Sequence, residues 1–204
     1  KALKIYEGTA FIFPFIHSVL TNIQYGRVFV DNPNSPKCGF VMHDFGWSQF
    51  FGTFDKLFLK SVESFLFTDE RFTSFKVRLF CPEDFWCKPF EQHAEISERC
   101  RFRLPKQIAV PIDEKFFSIE QISSHNFEKI NEQFDLDLFS RNWPSRSAFK
   151  NGAFGVVLTV NNEFASICYS CASANSVHEI DIFTNERFRR NGFGKCVGQA
   201  FINN

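Results

Sequence analysis

"EIDIFTNERFRRNGFGKCVGQAFI" spans Glu179 to Ile202. It opens on alternating polar and apolar residues, the period of a strand. It closes on "KCVGQAFI", small and apolar residues in the pattern of an amphipathic helix. Between them lies R-x-x-G-x-G: Arg189, Gly192 and Gly194. A strand that feeds straight into a helix leaves the helix's first N–H groups without partners. Those donors, with the positive end of the helix dipole, suit an anion. Gly192 and Gly194 remove side chains that would keep a phosphate away. Arg189, Arg190 and Lys195 add positive charge at the rim. The expectation is a phosphate or pyrophosphate seated on residues 190–195. The competing reading is an ordinary helix start with turn glycines.

Upstream, "AFGVVLTV" (153–160) reads as a strand, and "NN" (161–162) as a tight turn into "EFASICYSCAS" (163–173). "ANS" (174–176) turns into "VHEIDIFT" (177–184). "SIEQISSHNFEKINEQF" (118–134) predicts a helix. Ser118 and Gln121 fit a capping box, with Ile119, Ile122, Ile130 and Phe134 as the apolar stripe. "LDLFSRNWPSRSAFKNG" (136–152) is a loop or short helix, and "RFRLPKQIAVPI" (101–112) is extended. The first half predicts an apolar helix over 10–23, disturbed near Pro14, then strands at 27–31, 38–43 and 47–52. A helix over 55–67, with Asp55 as N-cap, and a strand at 75–81 complete it. The fold class is α+β (mixed α/β). Residues 1–90 form an α-β-β-β-α-β domain and residues 91–204 a second, with the junction near 82–99. Both halves run helix, three strands, helix. A degenerate duplication and independent recurrence both explain that order.

Balanced charge, 23 Lys plus Arg against 23 Asp plus Glu, removes the footprint of a dedicated nucleic-acid binder. Thirty Phe against three Trp and three Tyr signal bulky cores. Seven scattered cysteines argue for free thiols and a reducing, cytoplasmic setting. Cys168 and Cys171 form a CxxC, but on a strand, where positions three apart face opposite sides. No metal site is expected there or among the scattered histidines. No apolar run reaches membrane-spanning length, and "TAFIFPFIHSVL" (9–20) lacks the flanks of a signal peptide. The chain begins at Lys1 without a methionine, so part of the N-terminus is expected to lie outside it.

Three strands, then R-x-x-G-x-G, then a helix resembles motif A of the GCN5-related N-acetyltransferases (GNAT). "GRVFVDNPNSPKCGF…FGWSQFFG" (26–52) and "HEIDIFTNERFRRNGFG" (178–194) resemble the zwittermicin A resistance-type members. The resemblance implies acetyl-CoA as cosubstrate and a small-molecule amine as acceptor, with no metal, nucleic acid or membrane partner. The pyrophosphate would sit on Arg190, Asn191, Gly192, Phe193, Gly194 and Lys195, with Arg189 at the rim. The pantetheine arm would follow the strand at Ile182, Phe183 and Thr184, which a β-bulge commonly splays from its neighbour. Direct transfer, with no acyl-enzyme, is implied. The base would be Glu179, with Asp181 on the same face; His178 faces the other way unless a bulge shifts the register. The family's fold continues past this helix into a fifth strand, so this sequence is expected to lack one wall of the cleft.

Other features are weaker. "FGWSQFFG" (45–52) reads as core or as an acceptor wall. Arg141, Trp143 and Arg146 of "RNWPSR" read as a solvated loop or as acceptor contacts. Tyr169 receives no role. "NGFGKCV" (191–197) faintly resembles the aromatic strand of an RNA-recognition module, with Lys195 where an aromatic should stack. A catalytically inactive acyl-CoA-binding module is the other alternative.

Overall fold

The computed structural model describes residues 1–68, 76–82, 84–102, 116–134 and 142–204. Most of the extended segment predicted at 101–112, and Arg141, lie outside the described residues. The chain divides into two compact units, Lys1–Cys100 and Arg101–Asn204.

In the first unit, α1 (Ala2–Tyr6) and α2 (Pro14–Leu20) replace the single helix predicted over 10–23. Pro14 starts α2 rather than disturbing it, since its missing N–H costs nothing in a first turn. The break between the helices is held by Tyr6, whose hydroxyl accepts from Phe13 N at 2.7 Å and donates to Gln49 Oε1 at 2.8 Å. Strands β1 (Gly26–Val30), β2 (Cys38–His43) and β3 (Trp47–Gly52) pair antiparallel, with Phe29 opposite Phe40 and Phe40 opposite Phe50. Helix α3 (Lys56–Thr68) follows, and β4 (Arg78–Leu79) returns parallel to β3. The strand predicted at 75–81 is thus only two residues long. A short helix, α4 (Asp84–Cys87), closes the unit and carries Trp86, which stacks on Phe50 at 4.8 Å. Cys81 and Cys87 are joined as a disulfide, against the expectation that all thiols are free; Cys38, Cys100, Cys168, Cys171 and Cys196 are thiols outside any disulfide among the described residues.

In the second unit, Ser118–Gln121 is not a helix start but strand β5. It pairs antiparallel with β6 (Gly155–Val160), Ser118 opposite Thr159 and Gln121 opposite Val156. The S-x-x-Q spacing suits a cap, but the sheet edge offers these backbones a complete ladder, and Ile119 packs into the core. Buried Asn126 ends the strand by donating to Gln121 O and accepting from Ser123 N. Helix α5 (Phe127–Phe134) starts only beyond it, and α6 (Arg146–Gly152) follows, capped by Ser145 Oγ. Strands β6, β7 (Glu163–Ala174) and β8 (Val177–Thr184) form two successive hairpins. Asn161 and Asn162 have φ of 49° and 64°, and Asn175 and Ser176 48° and 63°. Both are two-residue turns with φ positive throughout, which match the strand twist. The sheet order is β5-β6-β7-β8, so β8 is an edge among the described residues. Helix α7 (Phe193–Asn203) packs Val197 and Phe201 on Val156, Leu158 and Cys168. The opposite face is covered by α5 and α6, through Phe134 on Phe183 and Phe149 on Tyr169.

Candidate active site

The junction between β8 and α7 is a short 3-10 turn, Glu186–Phe188, followed by Arg190 at φ 63° and Gly192 at φ 80°. Asn185 Oδ1 accepts from Arg187 N, fixing where the chain leaves the strand. Asn191 Nδ2 donates to the carbonyls of Phe188 and Arg189. Gly192 is the N-cap of α7, and no side chain caps it. Its carbonyl accepts from Lys195 N and Cys196 N, so the turn is closed on the carbonyl side. Among the described residues, nothing accepts from the amides of Phe193 and Gly194. A Cβ at Gly192 would meet nothing within 4 Å. Glycine is needed there for its left-handed backbone, and the space beyond it is open.

Gly194 has a different reason. A Cβ there would lie 3.3 Å from Thr184 Oγ1, and one at Gly198 3.3 Å from Ile182 Cδ1. These two glycines bring α7 close to β8. Thr184 is itself tied to Ser166 Oγ at 2.8 Å. At the rim, Arg189 is tied down: its Nε donates to Thr184 O at 3.2 Å, and it pairs with Glu186 at 3.3 Å. It braces the junction while staying exposed, as are Arg190 and Lys195. Residues 191–197 open a helix, not the strand an RNA-recognition module requires.

Strand β8 alternates strictly between its two faces as far as Phe183. Phe183 contacts α5, and Asp181 and Glu179 share its side. His178 and Ile182 lie on the α7 side. The His178 imidazole meets Phe154 edge-on and bonds Ser173 Oγ at 2.8 Å; burial lowers its pKa. The structure therefore brings Glu179 and Asp181 together and leaves His178 across the sheet. The bulge lies on β7 rather than on β8: Ser170 opposes Ile180 and Ala172 opposes Glu179, which leaves Cys171 as the extra residue. Cys168 packs on the α7 side, and Cys171 bonds Tyr169 on the other, so the CxxC makes no paired site. Burial, Asp181 and Glu179 all push the Cys171 thiol up, and the Tyr169 bond lowers it.

Two features escape a reading of the sequence. Tyr169 is fully buried and opposes Asp181, with its hydroxyl 3.3 Å from Asp181 Oδ2. Trp143 is core, not an acceptor contact: it is 2% exposed and donates from Nε1 to Ser170 O at 3.2 Å. Arg146 pairs with Glu128 at 2.8 Å. Among the described residues no group of His, Cys, Asp and Glu is placed to hold a metal, and no helix is long and apolar enough to cross a membrane.

The family model "GNAT acetyltransferase" matches residues 11–204. The chain belongs to this family. A curated relative, the uncharacterized N-acetyltransferase YdfB of Bacillus subtilis (strain 168), is 26% identical over 209 residues, covering 92% of this chain and 74% of the relative. Two solved structures share the fold. A GCN5-related N-acetyltransferase from Kribbella flavida gives a TM-score of 0.58 at 14% identity, covering 99% of this chain and 79% of that one. A GCN5-related N-acetyltransferase-like protein from Streptococcus suis 89/1591 gives 0.55 at 18%, covering 87% and 72%. As a GNAT member the protein is an N-acetyltransferase, of a family that generally uses acetyl-CoA and acts on small-molecule or protein acceptors.

Proposed function

We propose that the protein transfers an acetyl group from acetyl-CoA directly to the amine of a small molecule in the cytoplasm. The observation that carries the reading is the uncapped start of α7, open beyond Gly192 and adjoining the edge strand β8. Acetyl-CoA would supply the activated acetyl group. Its pyrophosphate fits the amides of Phe193 and Gly194, with Arg190 and Lys195 nearby. Its amide-bearing arm fits the outer edge of β8 at Ile182, Phe183 and Thr184.

The acceptor's ammonium, with a pKa of about 10.4, must lose a proton before it can attack. At pH 7 that costs roughly 4–5 kcal/mol, at about 1.36 kcal/mol per unit. Glu179 and Asp181, side by side on one face, are the groups placed to take it. The Cys171 thiol, held protonated, is a poor nucleophile, which favours direct transfer over an acyl-cysteine. Membership of the zwittermicin A resistance-type subfamily is supported by the resemblance of residues 26–52 and 178–194 alone.

The test is release of CoA thiol with a panel of primary amines. Turnover with at least one amine, lost when Glu179 and Asp181 are both made amides, is the expected result. Acetyl-CoA binding without turnover on any amine would overturn it in favour of an acyl-CoA-binding module.

A further inference from the structure

The outward row of backbone groups on the edge strand β8 follows from its register. Asn185 N donates to Ala165 O at 2.9 Å, so Asn185 faces β7. In an antiparallel ladder alternate residues turn both backbone groups to the partner strand, and the residues between turn theirs away. Phe183 and Asp181, opposite Ile167 and Tyr169, therefore face β7 as Asn185 does. The Phe183 carbonyl also takes Ser166 Oγ on that side, at 3.0 Å. Thr184, Ile182 and Ile180 turn outward, where no strand among the described residues pairs with them. Ile180 and Ile182 are exposed, so the edge is open alongside them.

One group of the outward row is already taken. Arg189 Nε donates to Thr184 O at 3.2 Å, and Arg189 Nη1 donates to Glu186 Oε1 at 3.3 Å. Beyond it the row reads Thr184 N–H, Ile182 O, Ile182 N–H and Ile180 O. Donors and acceptors in that order suit an extended arm that carries amides. With the Thr184 carbonyl free, the row would begin one acceptor nearer to α7. An arm on a strand edge can slip by two residues and keep its pairing, a shift of about 7 Å. Such a slip would carry a thioester well away from its acceptor.

We propose that Arg189 is a positioning residue: it closes the outer edge of β8 at the Thr184 carbonyl, so that the donor's arm has a single register, beginning at Thr184 N–H. This rests on the acetyltransferase reading above, with acetyl-CoA as donor. A reacting group gains from its site only when held in one geometry, and the stop supplies it. The arrangement also divides the cations of the junction. Glu186 offsets the charge of Arg189, whereas Arg190 and Lys195 pair with no carboxylate among the described residues. Those two are left to the phosphates, and Arg189 serves the arm.

The test compares two donors, acetyl-CoA and S-acetylpantetheine, which has the same arm and no pyrophosphate. Each is assayed with the wild type, Arg189→Ala, Arg189→Lys and Lys195→Ala. Loss of a charged hydrogen-bond donor should raise KM about tenfold for both donors in Arg189→Ala, with KM for the amine unchanged. Arg189→Lys, which keeps a cationic donor, should recover most of that loss. Lys195→Ala should raise KM for acetyl-CoA alone. A fall in the amount of folded protein would lower kcat and leave every KM in place, so the split separates positioning from stability. Amide exchange of the wild type with and without CoA needs no variant: protection should appear at Thr184 and Ile182. A loss in Arg189→Ala confined to acetyl-CoA, unchanged donor KM values, or no protection at Thr184 would overturn the inference and leave the acetyltransferase reading standing. A wild type that turns over no amine fails that reading instead, and the exchange measurement still reads the register.

Discussion

Helices α3 and α7 occupy the same place in their units. Each follows three antiparallel strands; α3 begins at Lys56, soon after β3 ends at Gly52, and α7 begins at Phe193, after β8 ends at Thr184 and a 3-10 turn intervenes. Their N-termini differ completely. At α3 the Asp55 carboxylate accepts from Leu57 N at 2.8 Å and Phe58 N at 2.9 Å, so the chain supplies its own anion. At α7 the cap is Gly192, no side chain caps it, and among the described residues nothing accepts from the amides of Phe193 and Gly194. A helix N-terminus is not in itself a binding site; what matters is whether the sequence has already filled it. The turns before the helices tell the same story. "FFGTFDK" (50–56) has Gly52 tucked under the backbone of Lys37, where a Cβ would lie 2.3 Å from the carbonyl oxygen. In "RRNGFGK" (189–195) Gly192 faces open space.

The largest effects should fall on the cores. Each unit has its own buried tryptophan, Trp86 in the first and Trp143 in the second, both 2% exposed. Alanine at either should cost about 3–5 kcal/mol, by transfer and cavity terms together. Differential scanning calorimetry of the two variants should show different parts of the unfolding profile moving. Identical shifts would show that the units melt as one, and would blunt the comparison.

Acid should act first on the first unit. His43 is buried, its Nδ1 accepting from Phe45 N at 2.9 Å and its Nε2 donating to Gln24 Oε1 at 3.2 Å, an arrangement that requires the neutral ring. Burial pushes its pKa down to about 4. The unfolded chain takes up a proton near pH 6.5 and the folded one does not. Stability is therefore fully present above pH 6.5 and falls between 6.5 and about 4, by up to about 3 kcal/mol. Urea midpoints across that range should show the fall, and His43→Gln should flatten it. A His43→Gln variant with the wild-type slope would contradict this.

How much of this was legible beforehand follows from what each signal depends on. Strands β2, β3 and β8 are read correctly to the residue, because alternation and turn residues are local. Asp55 is legible as a cap for the same reason. Ser118–Gln121 is misread because S-x-x-Q is also local, while the pairing with β6 that overrides it lies some 35 residues away. The family motif locates the α7 start, but not that Arg189 is spent on Thr184 O and Glu186. The Tyr169–Asp181 pair depends on cross-strand register, and a single bulge at Cys171 decides which residues face each other. The sequence shows no sign of that bulge.

The smallest effect should come from opening the first unit. Asp55→Ala removes the α3 cap and should cost about 1 kcal/mol. It should leave acetyl-CoA affinity unchanged, since Asp55 belongs to the first unit and the α7 start to the second. A change in affinity, read by isothermal titration, would show that the two helix starts are not independent.

The most direct measurement is calorimetric titration of acetyl-CoA into the wild type and Gly192→Glu. The account predicts one site per chain, with affinity lost at least a hundredfold in the variant, because a carboxylate at the start of α7 meets the pyrophosphate as Asp55 would at α3. Binding that survives Gly192→Glu undiminished would contradict it.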